Sequence, residues 1–442
     1  MEHGHEKGHG RGHGHGHAMR ELPSDLGAPA ALINGWRRRA FITGGIFSVL
    51  SVVLALVAAF TEHDGIHHLL RSWLMGFMIC FGFCVGGLAL LMVQYLSGGK
   101  WGLLIRRPLE AMSRTLPLVA LLFLPIGFGM KQLYLWARIS NPAQALKDHL
   151  ITREQAHAIA WKRPMLSIHS VWIQTVVCFA IWFLFTWVLN RWSMQRDADS
   201  SPNVPFWQKR LENVSGIGVV IYSLTLTVGA IDWVMSTDVT WFSTMYGLMF
   251  LVGQGYGVLA LSVITVVSLS KAEPMKTILR TVEQHDLGKL CFAFVMLNIY
   301  LAFSQFLIIW SGNLPEEIPW YLDRIRGHWG VLLSLDFIFH WLIPFSLLLS
   351  RDIKRNKRKI VLVCMWMIFA RCWDMFLLIE PSFPDAARNL HLSFGILEYA
   401  AVPVAMIAFW MAYYLTQLKQ RPLVQVNDPH LAEILEPEHA HA

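Results

Sequence analysis

Apolar runs of about 20 residues alternate along the chain with short polar connections, and a run of that length crosses the hydrocarbon core of a bilayer as a helix. Ten such runs predict ten spans, at roughly 41–60, 70–96, 115–136, 167–190, 216–235, 243–270, 287–310, 328–350, 359–379 and 392–416. An even number of spans puts both termini on one side of the membrane. Pro117, Pro125, Pro344 and Pro403 fall inside these runs and predict kinks, which neighbouring helices can accommodate by serving the freed carbonyls.

Polar positions inside the runs carry the functional signal. Asp336 and His340 interrupt span eight, and Arg371 and Asp374 interrupt span nine. A charge at a span centre costs about 2.5–3.5 kcal/mol on the insertion scale, so such residues face a protein interior and mark ion or substrate paths. At 1.5 Å per residue, Asp336 lies roughly 12 Å from the outer end of its span and Arg371 roughly 18 Å from the inner end of the next. The two levels nearly coincide, and the short eight-to-nine loop makes the spans antiparallel neighbours, so an Asp336–Arg371–Asp374 network is expected. Asp232, Gln305, His169 at the start of span four, and Glu398 join them in the outer half, with Asn298 and Tyr300 nearer mid-depth. The inner halves are mostly apolar. This asymmetry predicts a half-channel or cavity opening outward, used as a proton path or quinone-headgroup pocket. A buried ion-pair network that only fixes helix register is the structural alternative.

The runs also repeat. Residues 76–90 of span two align without gaps on 247–261 of span six with seven of fifteen positions identical, among them Gly76/Gly247, Gly82/Gly253 and Gly86/Gly257. Four spans separate the copies, so they run in the same direction, as in parallel repeats about an axis normal to the membrane. The expected architecture is two four-helix bundles, about 70–235 and 243–379, with spans one and ten outside them. The pairs Gly82-x-x-x-Gly86 and Gly253-x-x-x-Gly257 predict close helix crossings.

Composition agrees and narrows the class. Among 442 residues, 55% are hydrophobic and 15% charged, too little polar surface to enclose a water-soluble globule. The fold class is all-α polytopic membrane protein. The net charge of +7 is spread over loops, and no nucleic-acid motif occurs, so nucleic acid is excluded as a partner. Connections on the side of the termini carry 25 Lys and Arg against 8 on the other side, which predicts cytoplasmic termini. The nineteen tryptophans gather near span ends, as interface anchors do.

The six cysteines all fall in apolar runs without C-x-x-C spacing, so no iron–sulfur or covalent haem site of this chain's own is expected. No metal ligand set and no catalytic residue is assigned. Residues 1–35 contain no apolar core of a cleavable signal and read as a His- and Gly-rich disordered tail, with weak metal capture as the functional alternative for its histidines. Residues 36–416 form the membrane domain, and 417–442 read as a cytoplasmic C-terminal tail.

Four stretches are also familiar: LSGGKWGLLIRRPLEAMSRTLPLVALLFLPIGF (96–128), IDWVMSTDVTWFSTMYGLMFLVGQG (231–255), DLGKLCFAFVMLNIYLAFSQFLIIWSGNLPEEIPWY (286–321) and LLLSRDIKRN (347–356). Over about 36–416 the chain resembles the second NrfD-like, polysulfide-reductase-type membrane subunit (the ActF type) of bacterial alternative complex III. That resemblance implies a multi-pass subunit of the bacterial inner membrane, in a complex that oxidises membrane quinol (menaquinol or ubiquinol) for cytochrome c or a terminal oxidase. Haem and iron–sulfur clusters would belong to partner subunits, namely a multihaem cytochrome and an iron–sulfur subunit. The sister NrfD-like subunit is the better candidate there for the quinol site, and this type would act in assembly, beside the quinone, or in proton translocation. A freestanding secondary transporter of protons or a small solute is the alternative from a different class.

Overall fold

The computed structural model describes residues 21–61, 65–200, 203–383, 397–428 and 430–435. Its long helices are α1 (Ala30–Thr61), α2 (Gly65–Ser97), α5 (Ile168–Ala198), α6 (Val204–Trp233), α7 (Tyr246–Leu269), α8 (Thr281–Gly312), α12 (Lys357–Ile379) and α13 (Glu398–Lys419). Between them lie α3 (Lys100–Ser113), α4 (Leu116–Phe128), α9 (Ile318–Ile325), α10 (Gly327–Asp336) and α11 (Ile343–Leu349). A π-helical turn, Phe337–Leu342, joins α10 to α11 into one crossing. Among the described residues there is no strand, and nine helices are long and apolar enough to cross a membrane; the bent pair α3–α4 makes ten if it counts as one crossing. The chain is an all-α polytopic membrane protein.

Two helices form the centre. The apolar windows of α2 and α7 are each 89% buried, whereas that of α1 is only 17% buried. α2 and α7 touch each other, and α6 and α12 pack against both. α13 lies on α2 and carries α1 on its outer face, so α1 is peripheral and leaves Phe41, Ile46, Val49 and Phe60 exposed. Exposed apolar side chains along a crossing helix suit a hydrocarbon environment. A flat face on α2 permits the central contact: a Cβ on Gly86 would meet Gln254 Cβ at 2.9 Å and Val258 Cγ2 at 3.1 Å.

The third crossing departs from the expected helix over 115–136. Pro117 has no N–H for the carbonyl of Ser113, so the ladder breaks there and α4 leaves α3 at 43°. Trp410 Nε1 donates to Thr115 Oγ1 at 2.9 Å and fastens the corner. The connection between the second and third expected spans holds α3, buried from Gly102 through Ser113.

That burial is possible because α3 sits in a polar network on the side of the molecule that carries residues 21–29 and 420–435. Glu110 accepts from Arg107 Nη1 at 2.6 Å, Ser193 Oγ at 2.5 Å and Arg421 Nη1 at 3.1 Å. Arg106 donates to Gln94 at 2.7 Å and also to Gln425 and Asp428, and Arg107 pairs with Asp197. The segment after α13 therefore docks against α3 and α5, with Leu423, Val424 and Gln425 buried. Leu423 N–H donates to Leu26 O at 2.8 Å, tying the two ends of the chain together.

Candidate functional site

Pro344 shapes the site. Lacking an N–H, it cannot serve the carbonyl of His340 four residues before it. The helix widens into the π turn, in which the Ile343 N–H donates to Ile338 O, five residues back. Two side chains from neighbouring helices serve the freed carbonyls: Tyr256 OH on α7 donates to His340 O at 3.1 Å, and Trp366 Nε1 on α12 donates to Phe339 O at 2.9 Å. The turn is thereby held against both neighbours, with Asp336 at its start and His340 inside it.

Beside this turn lies a cavity of about 410 Å³ between α7, α8, α9, α10 and α12. Its wall is largely aromatic and aliphatic, with Phe250, Phe306, Trp320 and Trp341 among the lining residues. Polar groups from the crossings also line it, among them Gln305 on α8, Asp336 on α10, and Arg371 and Asp374 on α12. Phe303 and Phe337 also line it and are 58% and 49% exposed. Both lie within crossings, so the cavity reaches the lateral surface between α8 and α10.

The polar groups are fixed by specific contacts. Arg371 forms an ion pair with Asp374 one turn away. Its guanidinium lies on the backbone of Gly253, where a Cβ would be 2.6 Å from Arg371 Cζ. Gln305 accepts from Ser243 Oγ at 3.1 Å and donates to Tyr321 OH at 3.3 Å, while Trp341 Nε1 donates to Asn298 Oδ1 at 2.8 Å. Asp336 Oδ2 is 3.9 Å from His340 Nδ1. Neither His340 nitrogen, nor Asp336 Oδ1, has a hydrogen-bond partner among the described residues. His340 is 0% exposed, and Tyr256 meets its ring edge-on at 4.8 Å between centroids.

Arg324 on α9 closes one end of the cavity. It donates to the carbonyls of Leu377 at 3.1 Å, Leu378 at 3.0 Å and Trp320 at 3.0 Å, so it caps the end of α12. Its guanidinium stacks over Trp320 at 3.6 Å. Burial pulls Arg324 down to about 10, and the Tyr246 and Asp238 side chains oppose that shift. It stays a cation at neutral pH.

The eight residues singled out from the sequence thus divide. Gln305, Asp336, Arg371 and Asp374 share the cavity, and His340 stands directly behind Asp336. Asp232 is buried at the end of α6, next to the packed aromatic group of Phe77, Phe81, Phe123, Phe179, Trp182 and Trp233. His169 is exposed in the first turn of α5. Glu398 is fully buried at the start of α13, beside Tyr399, which donates to Glu380. Glu380 also pairs with Arg71 at 3.3 Å, a second polar cluster apart from the cavity. Depth along a span is readable from sequence, whereas the direction a side chain faces around the helix is not. Shared depth therefore does not bring Asp232, His169 and Glu398 to the cavity.

Sequence reasoning missed Arg324, Tyr321 and Tyr256. Arg324 stood in a loop outside the predicted spans. The amphipathic spacing of Trp320, Tyr321 and Arg324 was the available signal, since all three are buried on one face of α9. The chain matches no protein-family model and no curated protein.

Proposed function

We propose that this chain is an NrfD-like membrane subunit of a quinol-oxidising respiratory complex of the alternative complex III type, and that its cavity receives a quinone headgroup from the bilayer. The observation that carries this reading is the cavity's form: an aromatic wall reaching the lateral surface beside Phe303 and Phe337, with the carboxylates of Asp336 and Asp374, the guanidinium of Arg371 and the amide of Gln305 also in the lining. A lipid-soluble ligand with a polar head needs that combination, since such sites are mostly apolar with a few placed polar groups. Oxidising a quinol releases two protons, and the two carboxylates in the cavity wall, Asp336 and Asp374, are this chain's candidate acceptors. Haem and iron–sulfur groups of partner subunits would take up the electrons.

In this reading the bent pair α3–α4 is one crossing. The ten crossings then form two parallel four-helix bundles centred on α2 and α7, with α1 and α13 outside them. The termini face the cytoplasm of a bacterial cell whose inner membrane holds the complex.

Photolabelling with an azidoquinone in the complex purified in mild detergent tests this. Label is expected on α8 around Phe303 and on the π turn around Phe337, and Asp336→Asn should lower quinol-dependent turnover at least tenfold with assembly intact. Label elsewhere, or loss of assembly with unchanged activity per assembled complex, would reduce Asp336 to a register-fixing residue. Purification as a colourless, transport-competent monomer would replace the respiratory reading with a secondary transporter.

A further inference from the structure

We propose that Asp336, His340 and Asp374 form a binding site for a divalent transition-metal ion of the zinc class. One oxygen from each carboxylate and one imidazole nitrogen all lie within 4.8 Å of one another. Zinc ligands stand about 2.0–2.2 Å from the ion, so side-chain rotation of modest size converges the three atoms without moving a helix.

The buried imidazole distinguishes this group from a cluster of acids. His340 is fully buried and Asp336 is 2% exposed, yet both His340 nitrogens and Asp336 Oδ1 lack hydrogen-bond partners among the described residues. Buried polar atoms in that state are unfavourable, and coordination satisfies them. His340 moreover rides on the π turn, a backbone feature that recurs at functional sites.

The donor set selects the class of ion. One imidazole with two carboxylates suits zinc and the neighbouring first-row divalent ions, whereas thiolate-seeking copper(I) would find no sulfur in the set. Two carboxylates balance the charge of the ion. Asp336 and Asp374 both line the cavity, so the remaining coordination position faces it and takes water or a ligand oxygen. Arg371, paired with Asp374, adds a positive charge beside the ion and opposes its binding. Removing that charge should therefore tighten the site, which an adventitious surface site would not do. Nothing in the arrangement requires a quinone.

Cobalt(II) titration of the detergent-solubilised full chain, followed by visible absorption, tests the site. The tail histidines His3, His5, His9, His13, His15 and His17 are replaced by alanine in the full-length background, so that capture of the ion by the tail cannot mimic the site. One equivalent of cobalt is expected, displaced by zinc, lost in His340→Gln and in the isosteric Asp336→Asn and Asp374→Asn, and at least tenfold tighter in Arg371→Gln. A thermal unfolding scan identifies the folded variants. The site is overturned if the equivalent persists in any folded ligand variant, if the tail substitutions alone abolish binding, or if Arg371→Gln leaves the affinity unchanged or weaker. Azidoquinone labelling is read independently, so either result stands without the other.

Discussion

At the scale of single residues, Gly253 shows how a small side chain serves a site. The spacing Gly253-x-x-x-Gly257 predicts a helix crossing, and Gly257 fulfils it by facing α2, where a Cβ would lie 3.4 Å from Phe83 Cε1. Gly253 does something else: its missing Cβ makes room for the Arg371 guanidinium. Alanine is the better helix former by about 1 kcal/mol. Overpacking costs about 1–3 kcal/mol, and here the displaced group is tethered to Asp374, so the penalty wins. Gly253→Ala should lower the melting temperature in detergent, while the same change in an Arg371→Ala background should be neutral or stabilising. An equal penalty in both backgrounds would show that Gly253 does not act through Arg371.

At the scale of elements, the crossings were legible because runs of about 20 apolar residues have few other uses. The pairing of the eighth and ninth was legible because their connection is short. The π turn was not. Pro344 announces a kink, but whether the helix bends or widens depends on which neighbours can serve Phe339 O and His340 O, and those neighbours, Trp366 and Tyr256, lie on other helices. α3 was illegible for a related reason: Arg106, Arg107 and Glu110 look like a solvated loop until Gln425, Asp428 and Ser193 are brought to them. The account of the turn makes a prediction. Tyr256→Phe leaves a buried carbonyl unserved and should destabilise the protein by about 1–3 kcal/mol. In a Pro344→Ala background the restored N–H can serve His340 O, so the cost of Tyr256→Phe should shrink. Chemical denaturation of the four proteins measures the coupling, and additive costs would refute the link between Pro344 and Tyr256.

At the scale of the whole molecule, the helices around α2 and those around α7 solve the same packing problem differently. Beside α2, aromatic rings of α2, α4, α5 and α6 fill the interior; beside α7, the interior keeps a cavity with Gln305, Asp336, Arg371 and Asp374 in its wall. The docked C-terminal segment lies against α3 and α5, whose charges hold it. Burial acts to raise the Asp428 carboxyl, but Arg106 and Arg196 outweigh it and hold the group below its ordinary value. A carboxyl depressed in the folded state stabilises docking fully above its unfolded pKa of about 4, and that contribution is lost as pH falls through the depressed folded value. The segment should therefore resist proteolysis between residues 420 and 428 at neutral pH and become cleavable below about pH 4. Asp428→Asn removes the charge that Arg106 and Arg196 hold, so it should make the same bonds cleavable at neutral pH and abolish the acid transition. Docking that persists unchanged in that variant would assign the hold to the apolar burial of Leu423 and Val424 instead.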